Sequence, residues 1–194
     1  MHPDQFQAFE RICAERGAGG AVLEIGAVPS EDSLLCLGSL RAAPRKVGVN
    51  LDGPSTFRDF AILRANANDL SCFRDGEFDT VLCNAVLEHD LFFWRSLEEM
   101  RRVTRPGGLI IIGVPGFVAS PPTGWRARFV RSAFPRRRES LRSSTPVLRV
   151  HNCPSDYYRF SPQAVAELFM RGLKDVRVFS HMTPPRIIGS GIKP

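Results

Sequence analysis

The apolar positions of the chain change their period several times, and each change marks an element. Residues 80–83 and 109–114 are short continuous apolar runs of the kind carried by buried parallel strands, and the segment between them has a helical period. Over residues 92–103, Phe93, Leu97, Met100 and Val103 share one face, while Arg101 and Arg102 sit near the end, where positive charge suits the helix dipole. This pattern predicts one βαβ unit. Shorter apolar runs predict strands over 21–25, 46–51 and around 61–63. A closing pair is predicted over 173–180 and 186–192, joined by His181-Met182-Thr183-Pro184-Pro185. The first seventeen residues read as an amphipathic helix with Phe6, Phe9 and Ile12 or Cys13 inward. Ser30 is a good N-cap, with Glu31 and Asp32 in the first turn of a helix expected to run through Leu40. Ser161 caps another, with Pro162 at its first position and 164–170 as its body.

Strands alternating with helices predict an α/β domain, and composition agrees. A chain of 194 residues with 43% hydrophobic content is expected to form one domain over 1–194 with a substantial core. No repeat is evident. The amino-terminal stretch is too polar for a signal peptide, and no apolar run approaches a bilayer span. The five cysteines, Cys13, Cys36, Cys72, Cys83 and Cys153, are scattered without a CxxC pair, so free thiols in a reducing cytoplasm and no metal site are expected.

The polar residues at the strand ends carry the chemistry. Phe78-Asp79 leads into one strand, Asn84 and Leu87-Glu88-His89 follow its carboxyl end, and Arg105-Pro106-Gly107-Gly108 turns into the next. Further on stands His151-Asn152-Cys153-Pro154-Ser155-Asp156-Tyr157-Tyr158-Arg159-Phe160-Ser161-Pro162. In this order and spacing the motifs resemble class I S-adenosylmethionine-dependent methyltransferases, especially the type 11 group. The resemblance implies a Rossmann-like, seven-stranded, mostly parallel sheet of order 3-2-1-4-5-7-6 with the last strand antiparallel. It covers the chain from about Ala21 to Ile192.

The resemblance also implies a cofactor, S-adenosyl-L-methionine, and residues to hold it. Glu24, Gly26 and Ala27 would line its methionine part, Asn50 and Leu51 its ribose, and Asn66, Ala67, Asn68 and Asp69 its adenine. Asn84 and Ala85 would form the floor beneath the sulfonium. Departures stand beside the matches. Ala27-Val28-Pro29 replaces the usual glycine-rich continuation, and Asn50 takes the place of an acidic residue, with Asp52 two residues on as a substitute. The Asn66–Asp69 cluster also reads as plain turn chemistry. A nicotinamide dinucleotide is disfavoured by the residues themselves. It needs a G-x-G-x-x-G cradle at a helix start, and neither later glycine is present.

The acceptor side is less defined. Methylation of a hydroxyl or amine releases a proton, and His89, His151 and Asp156 are the candidate bases. Asp156 and Arg159 could instead form a structural ion pair, and alignment without a base suffices for some methyl transfers. Between Trp125 and Val150 lie eight arginines against one acid, Glu139, a local net charge of +7 in a chain of formal charge +6. This basic insertion, at about 116–150, suits an anionic small-molecule acceptor, a nucleic acid, an acidic membrane surface or a solvated loop. The leading expectation is methyl transfer to O or N of a small molecule. The alternatives are a non-catalytic binding module of the same fold and a nucleic-acid-binding methyltransferase. The last is weakened because the chain lacks the N/D-P-P-Y/F signature, and Cys153-Pro154 reverses the Pro-Cys order of cytosine C5 enzymes.

Overall fold

The computed structural model of the chain describes residues 1–117, 155–182 and 185–194. His151, Cys153, the arginine-rich stretch and the turn residues Thr183 and Pro184 lie outside the described residues.

Helix α1, Pro3–Arg16, begins with the His2 ring accepting a hydrogen bond from the Asp4 amide and ends at Gly17, in the left-handed conformation that favours glycine. Strands β1 (Ala21–Ile25), β2 (Arg45–Asn50), β3 (Ser55–Phe57), β4 (Phe60–Arg64) and β5 (Phe78–Asn84) follow. Helix α2, Phe93–Val103, then leads into β6 (Thr104–Pro115). A helical turn Pro162–Ala164 widens into a π-type turn over Val165–Phe169, and β7 (Lys174–His181) and β8 (Arg186–Ile192) close the chain. Ser161 caps as the sequence predicts, its hydroxyl accepting from the Ala164 amide at 3.0 Å.

The eight strands form one sheet in the order β3-β4-β2-β1-β5-β6-β8-β7. The five strands β4, β2, β1, β5 and β6 run parallel, and β8 is antiparallel to both β6 and β7. The expected seven-strand order is recovered when β3 is set aside. Strand β3 is the correction: a three-residue edge strand, antiparallel to β4, that the sequence reading left out.

Side-chain alternation along the strands sorts the core into two layers. Val81 and Cys83 of β5, with Ile110 and Ile112 of β6, face Leu97, Met100 and Val103 of α2. Leu82, Leu109 and Ile111 point the other way, onto Phe9, Ile12 and Cys13 of α1. Each fully buried side chain such as Phe9 contributes about 2 kcal/mol.

A second correction concerns residues 30–40. The structure has no α-helix there but two 3-10 turns, Leu34–Cys36 and Gly38–Leu40. The cap is Ser33 rather than Ser30. Glu31 and Asp32 do not decorate a helix start: they pair with Arg58 and the amino terminus, at 2.6 Å and 2.7 Å.

At the amino ends of the strands, Asp79 ties β1 to β6. It accepts from the Ala21 amide at 2.7 Å and from Arg105 Nε at 2.6 Å, and these donors hold its carboxyl below the usual range. The Phe-Asp pair thus clamps the edge opposite the candidate site. Among the described residues, no helix is long and apolar enough to cross a membrane.

Candidate active site

The candidate site lies at the carboxyl ends of the parallel strands, where ligands bind in open α/β sheets. Beyond β1 the chain folds back over β2, with the Gly26 and Ala27 amides donating to Val49 O at 2.8 Å and 3.1 Å. Gly26 has φ +81, and a Cβ there would collide with Val86 Cγ2. The loops after β1 and β5 therefore approach each other only because residue 26 is glycine.

Glu24, expected beside the cofactor's methionine part, is turned inward instead. Its Oε1 accepts from the Leu34 amide at 3.0 Å and its Oε2 from the Leu35 amide at 3.3 Å and from the Ser33 hydroxyl. Burial pushes its carboxyl up to about 7, against the opposing pull of these three donors. Glu24 therefore fixes the loop after β1 from behind. It also answers why the predicted helix does not form: its carboxylate captures the amides of residues 34 and 35 and starts a tighter turn there.

At the end of β2, Asn50 Nδ2 donates to Ala27 O at 2.8 Å, and its Oδ1 accepts from the Asp52 amide at 3.3 Å. An amide can do both, whereas a carboxylate could not donate to Ala27. Leu51 and Asp52 are exposed beside it.

After β4, the Asn66–Asp69 cluster is partly the turn chemistry its composition suggests. Asn66 Oδ1 accepts from the Asn68 amide at 2.9 Å, and Asp69 Oδ1 from the Ser71 amide at 3.1 Å. Asn68 Nδ2 reaches Asp90 Oδ1 at 2.8 Å. The remaining Asn68 oxygen is buried and has no hydrogen-bond partner among the described residues. Ala67 packs against the core beside it.

At the end of β5, Asn84 leans toward α1, its Oδ1 accepting from Gln5 Nε2 at 2.7 Å. Ala85 follows with φ 55, its amide donating to Gly113 O at 3.0 Å. Glu24, Gly26, Ala27, Asn50, Leu51, Asn84 and Ala85 are thus gathered on the ends of three adjacent strands, with Asn66, Ala67, Asn68 and Asp69 following the next one out.

The acceptor-side candidates divide differently. His89, in the turn Leu87–His89, has its Nδ1 3.2 Å from Ser155 O. Asp156 forms a bidentate pair with Arg159, at 2.5 Å and 2.6 Å, with both side chains about nine-tenths buried. The structural alternative weighed for Asp156 is therefore present. The backbone joins the two regions, the Tyr157 and Tyr158 amides donating to Glu88 O at 2.8 Å and 3.2 Å. Phe160 bridges to Gly116, with its amide on Pro115 O at 3.0 Å.

The sequence reading passed over Glu88 itself. Its side chain is fully buried, no other described residue donates a hydrogen bond to either carboxyl oxygen, and burial pushes its carboxyl up to about 7. The available signal was an acidic residue directly following apolar Val86-Leu87 at a strand's carboxyl end.

Comparison with known proteins matches this arrangement. Residues 39–112 match the family model described as a methyltransferase domain, of type 11. An uncharacterized methyltransferase of Mycobacterium sp. (strain JLS) is 35% identical over 100 residues, 48% of this chain and 38% of its own. The chain thus spans less than half the length of such curated relatives. Among solved structures, the N-methyltransferase NodS of Bradyrhizobium japonicum, in complex with S-adenosyl-L-homocysteine, superposes with a TM-score of 0.65 at 12% identity. The superposition covers 98% of this chain and 86% of that one. The 1,6-didemethyltoxoflavin-N1-methyltransferase of Burkholderia thailandensis, with its substrate and S-adenosylhomocysteine bound, gives 0.62 at 16%, covering 97% and 77%. The sheet order and these likenesses agree on the fold: the chain has the class I methyltransferase fold, and its residues 39–112 are similar to the type 11 methyltransferase domain.

Proposed function

We propose that the chain binds S-adenosylmethionine across the ends of β1, β2 and β4 and transfers its methyl group to an oxygen or nitrogen of a small molecule. The observation that carries the reading is the capture of the Leu34 and Leu35 amides by Glu24. A dinucleotide's pyrophosphate needs free amides after the first strand. Here the Leu34 and Leu35 amides are occupied by the inward-turned Glu24 carboxyl and are not free to cradle a pyrophosphate, which opposes a dinucleotide and leaves S-adenosylmethionine as the ligand of this fold.

The residues present fit the cofactor. Gly26 lets the two loops meet, Asn50 holds the loop against β2, and the unpartnered Asn68 oxygen is an acceptor for an amino group such as adenine's. When bound, S-adenosylmethionine supplies a methyl group made electrophilic by positively charged sulfur. The chain's part is to align an acceptor beyond Ala85 and exclude water. The small-molecule class is supported by the likeness to the toxoflavin-precursor enzyme, solved with its substrate. The arginine-rich stretch supports an anionic acceptor, with nucleic acid or an acidic membrane surface as the lesser readings. We read residues 1–194 as one domain of this kind, in a reducing cytoplasm.

Calorimetric titration with S-adenosylmethionine and S-adenosylhomocysteine, with NAD as control, tests the reading. Saturable micromolar binding of the sulfur ligands alone is expected, and its loss in Gly26→Arg, whose side chain has no room beside Val86. If neither sulfur ligand binds, the non-catalytic module replaces the enzyme.

A further inference from the structure

Glu88 stands out among the described buried polar groups because no other described residue donates a hydrogen bond to its carboxyl. Buried carboxyls are as a rule hydrogen-bonded, and each exception calls for a reason. Both Glu88 oxygens lack a partner among the other described residues, although its backbone carbonyl is doubly engaged by Tyr157 and Tyr158. The backbone is therefore held firmly while the buried carboxyl is left without a donor from any other described residue.

The charged surroundings explain why no partner closes on it. Arg159 faces Glu88 from the segment after residue 154, but its guanidinium is committed to Asp156 in a bidentate pair. Arg186, at the start of β8, attracts Glu88 electrostatically, and among the described residues no hydrogen bond joins it to the carboxyl. On β5, Cys83 is a buried thiol, held neutral by burial first and by the fields of Glu88, Glu24 and Asp90. His89 is the neighbour on the same turn, and its ring turns to Ser155 O. Burial pushes the carboxyl up, its own backbone amide and the fields of Arg186 and Arg159 pull it down, and the field of Asp156 adds to the upward push.

Resting on the cofactor reading above, we propose that Glu88 is the proton acceptor of the methyl transfer, its carboxylate facing the acceptor's O–H or N–H beside the transferred methyl. A lone pair on the acceptor's oxygen or nitrogen forms the bond to the methyl carbon. The carbon–sulfur bond breaks with its electron pair left on sulfur, and the acceptor's proton passes to a Glu88 oxygen. Mass and charge balance without a further reactant. A base titrating near neutrality both holds its proton loosely and takes one readily, and burial brings Glu88 to about that range.

The amine analogue of the cofactor, sinefungin, tests the placement without a known acceptor. Its ammonium stands where the methyl group is transferred, and S-adenosylhomocysteine carries nothing there. Above pH 7 the intact chain is expected to bind sinefungin about tenfold or more tightly than S-adenosylhomocysteine. That margin shrinks as the pH falls and Glu88 takes up its proton. In Glu88→Gln the margin is lost at every pH, while affinity for S-adenosylhomocysteine is retained and the fold is at least as stable as the wild type. The wild-type pH series stands by itself if the variant folds poorly. A margin that is independent of pH, or that survives in Glu88→Gln, overturns the proposal and leaves the cofactor reading intact. Failure of S-adenosylhomocysteine to bind the wild type removes both.

Discussion

Glu24 and Glu88 make a natural pair for comparison. They lie at the carboxyl ends of the adjacent strands β1 and β5, both are buried, and burial pushes both to about 7. Their surroundings are opposite. Glu24 meets three donors from Ser33, Leu34 and Leu35, while no other described residue donates to Glu88. The same residue type, at the same depth, is in one place a structural cap and in the other an open acceptor. Burial and a raised pKa do not by themselves mark a functional carboxyl. What separates Glu88 from Glu24 is that no other described residue donates to it.

The largest expected effect tests the structural half of this comparison. Glu24→Ala strands two buried amides and the Ser33 hydroxyl, at roughly 1–3 kcal/mol each, so a loss of about 4 kcal/mol is expected after partial relaxation. Urea denaturation at pH 7 measures it. A loss below about 1 kcal/mol would mean that the loop after β1 finds other acceptors and that Glu24 is not its organiser.

The next effect has the opposite sign. Glu88 titrates near 7 in the folded chain, above the ordinary carboxyl value of 4.5, so its ionisation opposes folding. Stability from this source is full below pH 4.5 and is lost as the pH rises to about 7, a span on the order of 3 kcal/mol. Glu88→Gln does not titrate. The variant should match the wild type near pH 4 and exceed it by up to about 3 kcal/mol at pH 8, read from paired denaturation curves. Equal stability at pH 8 would place an unrecognised partner on Glu88 and erase its contrast with Glu24.

Much of the fold was legible because the strands carry unambiguous patterns. Residues 21–25 are apolar but for Glu24, and β5 and β6 are dense in β-branched and aliphatic residues, which fit a sheet buried on both faces. Edge strand β3 has only three residues, too short for a period to show. The helix expected over 30–40 failed because the local signal at Ser30, Glu31 and Asp32 was overridden by a residue distant from it, Glu24, reaching across to Leu34 and Leu35. The site was half legible in the same way. Gly26 and Asn50 announce themselves by position at strand ends. That Asn84 leans toward α1 follows from its parity with Leu82 once α1 is known to cover that face. The isolation of Glu88 depends on where Arg159 and Arg186 end up, and no local pattern encodes that.

The smallest effect decides whether Asn50 belongs with Glu24 or with Glu88. Its amide bridges Ala27 O and the Asp52 amide, so its first role is to hold the loop that carries Gly26. Asn50→Ala leaves the Ala27 carbonyl without that donor and should cost about 1 kcal/mol of stability, with S-adenosylhomocysteine bound several-fold more weakly as the loop loosens. Asn50→Asp sharpens the point. A carboxylate would meet the Ala27 carbonyl with like partial charge, so it should lower stability at least as much as alanine, even though it offers a ribose hydroxyl a stronger acceptor. If Asn50→Asp binds S-adenosylhomocysteine more tightly than the wild type while folding less stably, the residue serves both roles and the amide is a compromise between them. If both variants keep full stability and lose ligand affinity, Asn50 acts on the ligand alone, and the loop after β1 rests on Glu24.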